Sequence, residues 1–367
     1  MTGTSTLHRF DPPALDAVPE VGALLERLGL GAFDGSDLTA HIGRNDNWAG
    51  TTRGGARVFV KRVGDGSGEG LRRFRRIVAF DLLATRPELA DVRGPRLLGY
   101  DIASRLVVFE LLTGVSSGAE LAAEGDFGEE PCHQAGRMVG TLHACRPELS
   151  PVTMDGSPPP LPVLSNLDVV PLPMFQALSG AEVELWGILQ SDTALADALR
   201  DLRRAEAAAP RRLCHCDLRL DQFLIGDGLL HLTDWEEFRL ADPARDVGGF
   251  AGEWLYRAIL GIPGAAEEGG ELTHAEVLAR GVRELDRLRP NIHAFWRAYR
   301  EACPDIDDDL AARAVRFAGW HLLDRGLARA AQNARLGAVD RAAAGIGRNA
   351  LLEPERFVTT LGLGETL

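Results

Sequence analysis

The stretch from His215 to Asp246, HCDLRLDQFLIGDGLLHLTDWEEFRLADPARD, decides the fold of this 367-residue chain. It contains two apolar runs, Phe223–Ile225 and Leu229–Thr233, separated by the sequence GDG at 226–228. Asp-Gly between two short apolar runs is typical of the tight turn of a β-hairpin. The stretch therefore predicts an antiparallel hairpin whose open ends lie side by side.

Carboxylates and one amide surround this hairpin in the sequence. Asp217 and Gln222 precede its first strand, Asp234 follows its second strand, and Asp246 lies further on. A hairpin of this length returns Asp234 close to the loop from Asp217 to Gln222, so two carboxylates and an amide are predicted to converge. Such oxygen atoms suit Mg²⁺ bound to phosphates. A solvated loop aspartate is the alternative for any one of them taken singly.

Lys61, in the strand candidate Arg57–Val63, is the predicted counterpart of these carboxylates. A lysine in such an apolar strand ordinarily extends to solvent at a sheet edge unless an anion awaits it. Phosphoryl transfer to a hydroxyl requires a cation on the triphosphate, acidic oxygens for Mg²⁺ and a carboxylate for the acceptor proton. Lys61, Asp234 and Asp217 offer these groups. An exposed edge-strand lysine is the alternative interpretation.

Upstream of the hairpin, the pattern predicts a small β-rich lobe at residues 37–112, after an N-terminal helical extension at 1–36. The predicted elements are a glycine-bounded turn at 43–50, strands at 57–63, 96–100 and 106–111, and a helix with the apolar face Leu71, Phe74, Ile77, Val78 and Leu82.

The remainder, residues 113–367, is predicted to be a larger and mostly helical lobe. Gln134–Ala144 has the periodicity of a buried helix, and helix-forming segments follow Ala244. The tryptophans of the second half, Trp254, Trp296 and Trp320, are predicted to lie in its core. Residues 147–173 are rich in proline, which predicts a long exposed connection or lid without regular helix.

Composition excludes several classes of protein. The net charge of −13 argues against a nucleic-acid partner. Neither a run of about 18 apolar residues nor a basic leader followed by an apolar run is present, so we expect a cytoplasmic protein without a membrane partner. The five cysteines form a sparse, odd set typical of a reducing compartment. Cys214 and Cys216 point away from His215 in an extended chain, so packing rather than zinc binding is predicted.

HCDLRLDQFL followed by LTDWEEFRLADPARD resembles the aminoglycoside phosphotransferase and choline kinase family. That family has His-x-Asp with an Asn five residues after the Asp, then a metal-binding Asp-Trp or Asp-Phe pair and a structural Asp. VFVKR resembles its nucleotide lysine strand, VVFELLTG its hinge between lobes, and AGRMVGTLHA the first helix of its large lobe. Residues 40 to 255 carry these motifs in the family's order. The resemblance implies an α+β bilobal protein-kinase-like fold and transfer of the γ-phosphate of ATP, with Mg²⁺, to an alcohol.

The resemblance also implies a role for each residue of the catalytic loop and its partners. Asp217 would be the catalytic base that orients the acceptor hydroxyl, and His215 would brace the loop. Asp234 would be the main Mg²⁺ ligand, and Asp246 would tie the loop to the helix after it. Gln222 stands where the family has its metal-ligating Asn, with the amide oxygen one methylene further out, so whether it binds the metal stays open.

For the nucleotide, the resemblance implies contacts to the phosphates and to the base. Lys61 would pair with the phosphates, Asn47 would belong to the loop that covers them, and the segment Phe109 to Leu112, with Glu110, would offer backbone groups to the adenine. The choice between ATP and GTP stays open. The helix after the lysine strand lacks the family's Glu in its first turns, and whether Glu69, Asp81 or neither pairs with Lys61 stays open.

Three hypotheses concern the acceptor. GRNDNWAGTT and RLDQFL are similar to the phosphotransferase subunits associated with class V lanthipeptide biosynthesis, which implies a Ser or Thr of a ribosomally made precursor peptide and a separate lyase subunit as partner. The alternative is a small-molecule kinase for an aminoglycoside, choline-like or other amino alcohol, whose cation the acidic run at 305–309 could bind. The third is a pseudokinase that serves as a binding subunit, suggested by Gln222 and the missing helix carboxylate.

Overall fold

The computed structural model describes residues 14–41, 45–64, 68–146, 153–160, 164–262 and 273–364. These residues form two compact units, and neither unit is one continuous piece of chain. The first consists of the described residues within Met1–Ser117, Ser150–Asp155 and Gln222–Phe238, and the second of those within Gly118–Leu149, Gly156–Asp221 and Arg239–Leu367.

The first unit is built on an antiparallel five-stranded sheet of order β1-β2-β3-β5-β4. Its strands are β1 (Thr39–His41), β2 (Asp46–Thr51), β3 (Arg57–Arg62), β4 (Leu97–Asp101) and β5 (Leu106–Glu110). The three strands predicted at 57–63, 96–100 and 106–111 are confirmed to within one residue at each end.

Two helices, α1 (Pro19–Arg27) and α2 (Gly68–Ala84), complete the hydrophobic packing of this sheet. Side chains alternate along a strand, so neighbouring residues pack into different cores. Leu106 and Val108 of β5 share a core with Leu24 of α1, whereas Val107 packs with Phe74 of α2. Proline at the first position of α1 lacks only an N–H that would have no helical partner there.

The predicted hairpin is present in the first unit. It consists of β8 (Phe223–Gly226) and β9 (Leu229–Leu232), and β6 (Ser116–Ser117) pairs with the outer edge of β8. The turn residues Asp227 and Gly228 have φ angles of 51° and 73°, the left-handed values that a tight two-residue hairpin turn requires.

The second unit is mostly helical, as predicted. Its helices are α3 (Gly118–Glu124), α4 (Glu129–Ala144), α5 (Ser165–Asp168), α6 (Leu172–Phe175), α7 (Gly180–Ser191), α8 (Thr193–Ala208), α9 (Ala244–Gly261), α10 (His274–Ala302), α11 (Leu310–Ala330), α12 (Ala338–Leu352) and α13 (Pro354–Thr360). The short strands β7 (Arg212–Cys214) and β10 (Arg239–Ala241) pair in an antiparallel ribbon.

Packing predictions for this unit are confirmed. Trp254, Trp296 and Trp320 are buried. The five cysteines are free and four of them are buried, in agreement with a packing role. Among the helices of the described residues, none has both the length and the apolar content that crossing a membrane requires.

Two local predictions are wrong. The expected turn at 43–50 is strand β2 from Asp46 onward, while residues 43 and 44 lie outside the described part of the chain. Gly50 marks a close approach rather than a turn, since an added Cβ would lie 3.2 Å from the Leu38 Cα. The segment 147–173 contains the short helix α5 and the first two residues of α6. Pro173 stands in the first turn of α6, where proline is compatible with helix. Residues 147–152 and 161–163 lie outside the described residues.

Candidate active site

A cavity of about 290 Å³ in the first unit contains the side chains predicted to bind nucleotide and metal. Its lining residues are Asn47, Phe59, Lys61, Ile77, Pro95, Phe109, Glu110, Leu111, Leu112, Gln222, Leu224, Thr233, Asp234 and Trp235. The remaining predicted site residues, His215, Asp217 and Asp246, belong to the second unit.

The lining of the cavity includes apolar side chains, among them Phe59, Ile77 and Leu224. Apolar walls with a few polar groups are typical of a pocket for a planar base. Two backbone amides of the predicted adenine segment are already engaged, because the Glu110 amide donates to the Arg96 carbonyl at 2.9 Å and the Leu111 amide to the Arg57 carbonyl at 3.0 Å. Contacts to a base would therefore come from other backbone groups of residues 109–112.

Lys61 lies on β3, with strands on both sides, and only 8% of its surface is exposed. The alternative of an exposed edge-strand lysine is therefore wrong. Its Nζ forms ion pairs with Asp234 and, at 3.1 Å, with Glu236. Burial lowers the pKa of Lys61, but the charges and hydrogen bonds of these two carboxylates outweigh burial and raise the pKa above its ordinary value. The ammonium group is thus held in its charged form.

The carboxylate partners of Lys61 come from the segment Asp234–Glu237 and not from helix α2. Glu69, one of the two alternatives from the sequence, pairs with Arg72 and Arg76 on α2. Asp81, the other, is half buried beside the Leu97 backbone, and burial raises its pKa. Sequence reasoning missed Glu236, although the acidic run DWEE contained the signal.

Glu236 is held by a second residue that sequence reasoning missed. The Asn45 Nδ2 donates to the Glu236 carboxylate at 2.8 Å, and the Asn45 Oδ1 accepts from the Gly64 amide at 2.8 Å. Asn45 and Glu236 are both buried. Asn45 therefore links the chain before β2, the chain after β3 and the segment after β9.

The segment from Asp234 to Glu237 is fixed against α2. The Trp235 ring stacks on Phe80 with a centroid distance of 3.4 Å. Glu237 is buried and pairs with Arg73 at 3.0 Å. Asp234 has a φ of 65°, a left-handed conformation that a non-glycine residue adopts at a cost and that is common at functional sites.

Three residues that line the cavity carry side-chain oxygens of the kind that suits a hard cation. The Asp234 carboxylate is 25% exposed. Gln222 is held next to Asp234 by the hairpin, since its carbonyl accepts from the Thr233 amide at 2.9 Å. The Asn47 Oδ1 is buried without a hydrogen-bond partner among the described residues. One carboxylate and two amides are donors that Mg²⁺ with a phosphate accepts, so these residues fit the implied ion.

Asp246 organises the loop at 215–217 in the second unit. It stands in the first turn of α9, and its carboxylate accepts from the His215 and Cys216 amides, each at 2.7 Å. It also contacts the His143 Nε2 at 3.0 Å, and the His143 Nδ1 contacts the Tyr299 hydroxyl at 3.0 Å. Burial raises the pKa of Asp246, but the hydrogen bond and charge of His143 prevail and lower it below its ordinary value.

His215 and Asp217 differ in accessibility. His215 is fully buried, and its Nδ1 accepts from the Asp217 amide at 3.4 Å. The Asp217 side chain is 37% exposed, with the Arg219 guanidinium 3.5 Å from its carboxylate. The loop therefore turns its histidine inward and leaves the Asp217 side chain partly exposed.

Comparison with known proteins identifies the family and the fold of the chain. The model of the phosphotransferase enzyme family, APH, matches residues 40–290. No curated protein sequence matches the chain. A choline/ethanolamine kinase family protein from Mesorhizobium loti has a similar structure, with a TM-score of 0.52 and 16% identity over 95% of this chain and 99% of that one.

Two further solved structures share this fold. Choline kinase LicA from Streptococcus pneumoniae gives a TM-score of 0.51 and 14% identity over 92% of this chain and 99% of that chain. Amicoumacin kinase in complex with AMP-PNP and Ca²⁺ gives a TM-score of 0.54 and 13% identity over 93% of this chain and 95% of that chain. The predicted protein-kinase-like α+β fold is thereby confirmed.

Proposed function

The chain belongs to the phosphotransferase enzyme family, and from that premise we propose that it transfers the γ-phosphate of ATP to an alcohol hydroxyl with the help of Mg²⁺. The observation that carries the proposal is the cavity in which the Lys61 ammonium meets the Asp234 carboxylate and whose lining includes Phe59, Ile77 and Leu224. A charged anchor, oxygen ligands and apolar side chains for the base are the parts that a metal-nucleotide complex requires.

The residues of the first unit would bind and orient the nucleotide. The purine packs against apolar side chains of the cavity lining, and Lys61 binds the phosphates. Asp234 and Gln222 hold Mg²⁺, which when bound neutralises charge on the phosphates. Asn47, whose Oδ1 is unpartnered within the described residues, contributes a further polar contact in the same cavity.

Asp217 would orient the acceptor hydroxyl and accept its proton. Its side chain is 37% exposed, and the backbone amides of the two residues before it are fixed by Asp246. His215 has a positioning role in this proposal, because its ring is buried and accepts from the loop's own backbone. Preorganised placement of this kind supplies most of the rate enhancement in phosphoryl transfer.

For the acceptor we propose a Ser or Thr hydroxyl of a ribosomally made precursor peptide, with a separate lyase subunit as partner. The proposal is supported by the similarity of GRNDNWAGTT and RLDQFL to the phosphotransferase subunits associated with class V lanthipeptide biosynthesis. Val169, Leu172 and Phe175 are large apolar side chains exposed in one short segment, which suits an extended peptide. The acidic run after α10 offers less to a cation than the sequence suggested, because Asp305 pairs with Arg212 and Asp307 with Arg313.

The second candidate acceptor is a small amino alcohol. It is supported by structures of the same fold that are named as a choline kinase and an amicoumacin kinase. A pseudokinase is less well supported than the sequence suggested, because Glu236 supplies the carboxylate that α2 lacks.

Mass spectrometry separates the two acceptors. The protein is incubated with ATP and Mg²⁺ and either Ser/Thr-containing precursor peptides or a panel of choline, ethanolamine and aminoglycosides, with Asp217→Asn as the inactive control. We expect an added phosphate on Ser or Thr of a peptide. Phosphate on a small amino alcohol alone would overturn the peptide proposal and leave the phosphotransferase intact.

A further inference from the structure

We infer that Glu236 is the positioning residue of Lys61, the role for which the family pattern provides a glutamate on the helix after the lysine strand. The inference rests on the proposed function. In that function, Lys61 must keep its place while Asp234 turns from the lysine to the metal and phosphates. A second carboxylate that stays paired with Lys61 makes this change of partner by Asp234 possible.

The two carboxylates on Lys61 differ in the way this exchange requires. Asp234 lines the cavity, and a quarter of its side chain is exposed. Glu236 lies 3.1 Å from the Lys61 Nζ with 5% of its side chain exposed, and it is absent from the described cavity lining. Asp234, the accessible carboxylate, can therefore exchange partners, whereas Glu236, the buried carboxylate, stays paired with Lys61.

Glu236 is rigid because of Asn45. The Asn45 amide donates to Glu236 at 2.8 Å while its oxygen accepts from Gly64, two residues beyond the end of β3. One asparagine thus fixes the carboxylate relative to the strand that carries Lys61. A ligand held by a second layer of hydrogen bonds keeps its geometry when the first layer changes partners.

Helix α2 supplies cations rather than a carboxylate at this point, and the carboxylates come from the segment Asp234–Glu237. Arg73 and Arg76 of α2 pair with Glu237, and the α2 residue that lines the cavity with Lys61 is the apolar Ile77. The helix gives cations to the segment Asp234–Glu237, and the segment gives a carboxylate to Lys61.

The test is a double-mutant cycle between residues 61 and 236. Glu236→Gln keeps an oxygen for Asn45 but removes the negative charge beside Lys61, and we expect the kcat/KM for MgATP, measured by ADP release, to fall about tenfold or more. In a Lys61→Met background the same change should cause no further loss, because Glu236 acts through Lys61. AMP-PNP affinity, measured by calorimetry, reports on the same coupling without turnover.

Two variants serve as controls. Glu237→Gln removes the neighbouring buried carboxylate, which pairs with Arg73 and Arg76, and it should change the melting temperature more than the kcat/KM. Glu236→Asp retains the charge and should recover part of the activity that Glu236→Gln loses.

Three outcomes would overturn the inference. A Glu236→Gln variant with wild-type kcat/KM and AMP-PNP affinity, beside a Lys61→Met variant that loses both, rejects Glu236 and leaves the proposed function standing. Losses that multiply in the double variant assign Glu236 to folding alone. A wild-type protein that neither binds AMP-PNP nor releases ADP rejects both proposals.

Discussion

Asp217 is the residue on which the proposed chemistry depends most directly. Asp217→Asn preserves the shape of the side chain and removes the proton acceptor, so we expect turnover to fall by about 10²–10⁴-fold. AMP-PNP affinity should stay close to that of the wild type, because the described residues that line the cavity all belong to the other unit. Single-turnover kinetics and calorimetry measure the two quantities. Turnover at the wild-type rate would contradict the role of Asp217 as a base.

Asp246 predicts a dependence of stability on pH. Because the pKa of Asp246 is lower in the folded protein, its ionised form stabilises the fold above the ordinary aspartate pKa of about 3.9, and this stabilisation is lost as the pH falls through the folded value. Asp246→Asn leaves buried donors without their charged acceptor, and the free energy of unfolding should fall by about 3–5 kcal/mol at neutral pH.

Urea unfolding of the Asp246→Asn variant at a series of pH values tests this sign. The difference in unfolding free energy from wild type should narrow below about pH 4. Asp305→Asn is the matched control, because that side chain is 95% exposed and its pair with Arg212 contributes about 0–1 kcal/mol. A gap for Asp246→Asn that stays constant down to pH 3 would contradict the argument.

Lys61 marks the limit of sequence reasoning at this scale. Its place in an apolar strand left two interpretations, an exposed edge-strand lysine or a lysine with an anionic partner. Asp234 was among the predicted counterparts of Lys61, whereas Glu236 was not predicted. Glu236 reaches Lys61 because Trp235 stacks on Phe80 and Asn45 holds the carboxylate, and these are contacts between residues far apart in the chain.

Among the elements, α4 was predictable from its apolar periodicity but its beginning was not. The helix begins at Glu129, ahead of the predicted start at Gln134. The first turn has Glu129 and Glu130, which the helix dipole favours, and Pro131, which is compatible with a first turn. These residues lack the apolar repeat by which the rest of the helix was recognised.

The contact of α4 with α10 depends on two glycines. A Cβ on Gly136 would lie 2.1 Å from the Phe295 carbonyl oxygen, and one on Gly140 would lie 2.7 Å from the Tyr299 carbonyl oxygen. The two helices thus meet at backbone distance, and a backbone carbonyl cannot move aside as a flexible side chain does.

Gly136→Ala should therefore separate α4 from α10. We expect a loss of about 1–3 kcal/mol in the free energy of unfolding, because overpacking forces the backbone to shift. Gly187→Ala in α7 is the control, since its Cβ would meet nothing within 4 Å and alanine should stabilise that helix by up to about 1 kcal/mol. Chemical denaturation of both variants measures the changes, and equal effects would contradict the close-contact argument.

For the molecule as a whole, the first unit draws on distant parts of the sequence. The hairpin at 222–238 joins it through contacts such as the Leu232 amide with the Arg93 carbonyl at 2.8 Å. Local patterns predicted the strands and the hairpin but carry no signal for such long-range pairing. The predicted lobe boundaries stay a prediction. The acceptor cannot be predicted from the fold either, because substrate specificity depends on pocket side chains that vary within one architecture.

Nucleotide binding provides a test at the scale of the whole molecule. The described residues that line the cavity are drawn from the separate stretches 47–61, 77, 95–112 and 222–235, and all belong to the first unit. A ligand at about 100 times its Kd adds about 2.7 kcal/mol to the stability of the state it binds. Hydrogen exchange with saturating Mg²⁺ and AMP-PNP should therefore slow about 100-fold at amides of β3, β5 and β8 that exchange when this unit opens. Lys61→Met should reduce this slowing. Protection confined to α11 and α12, with none in those strands, would place the nucleotide elsewhere and contradict the proposed site.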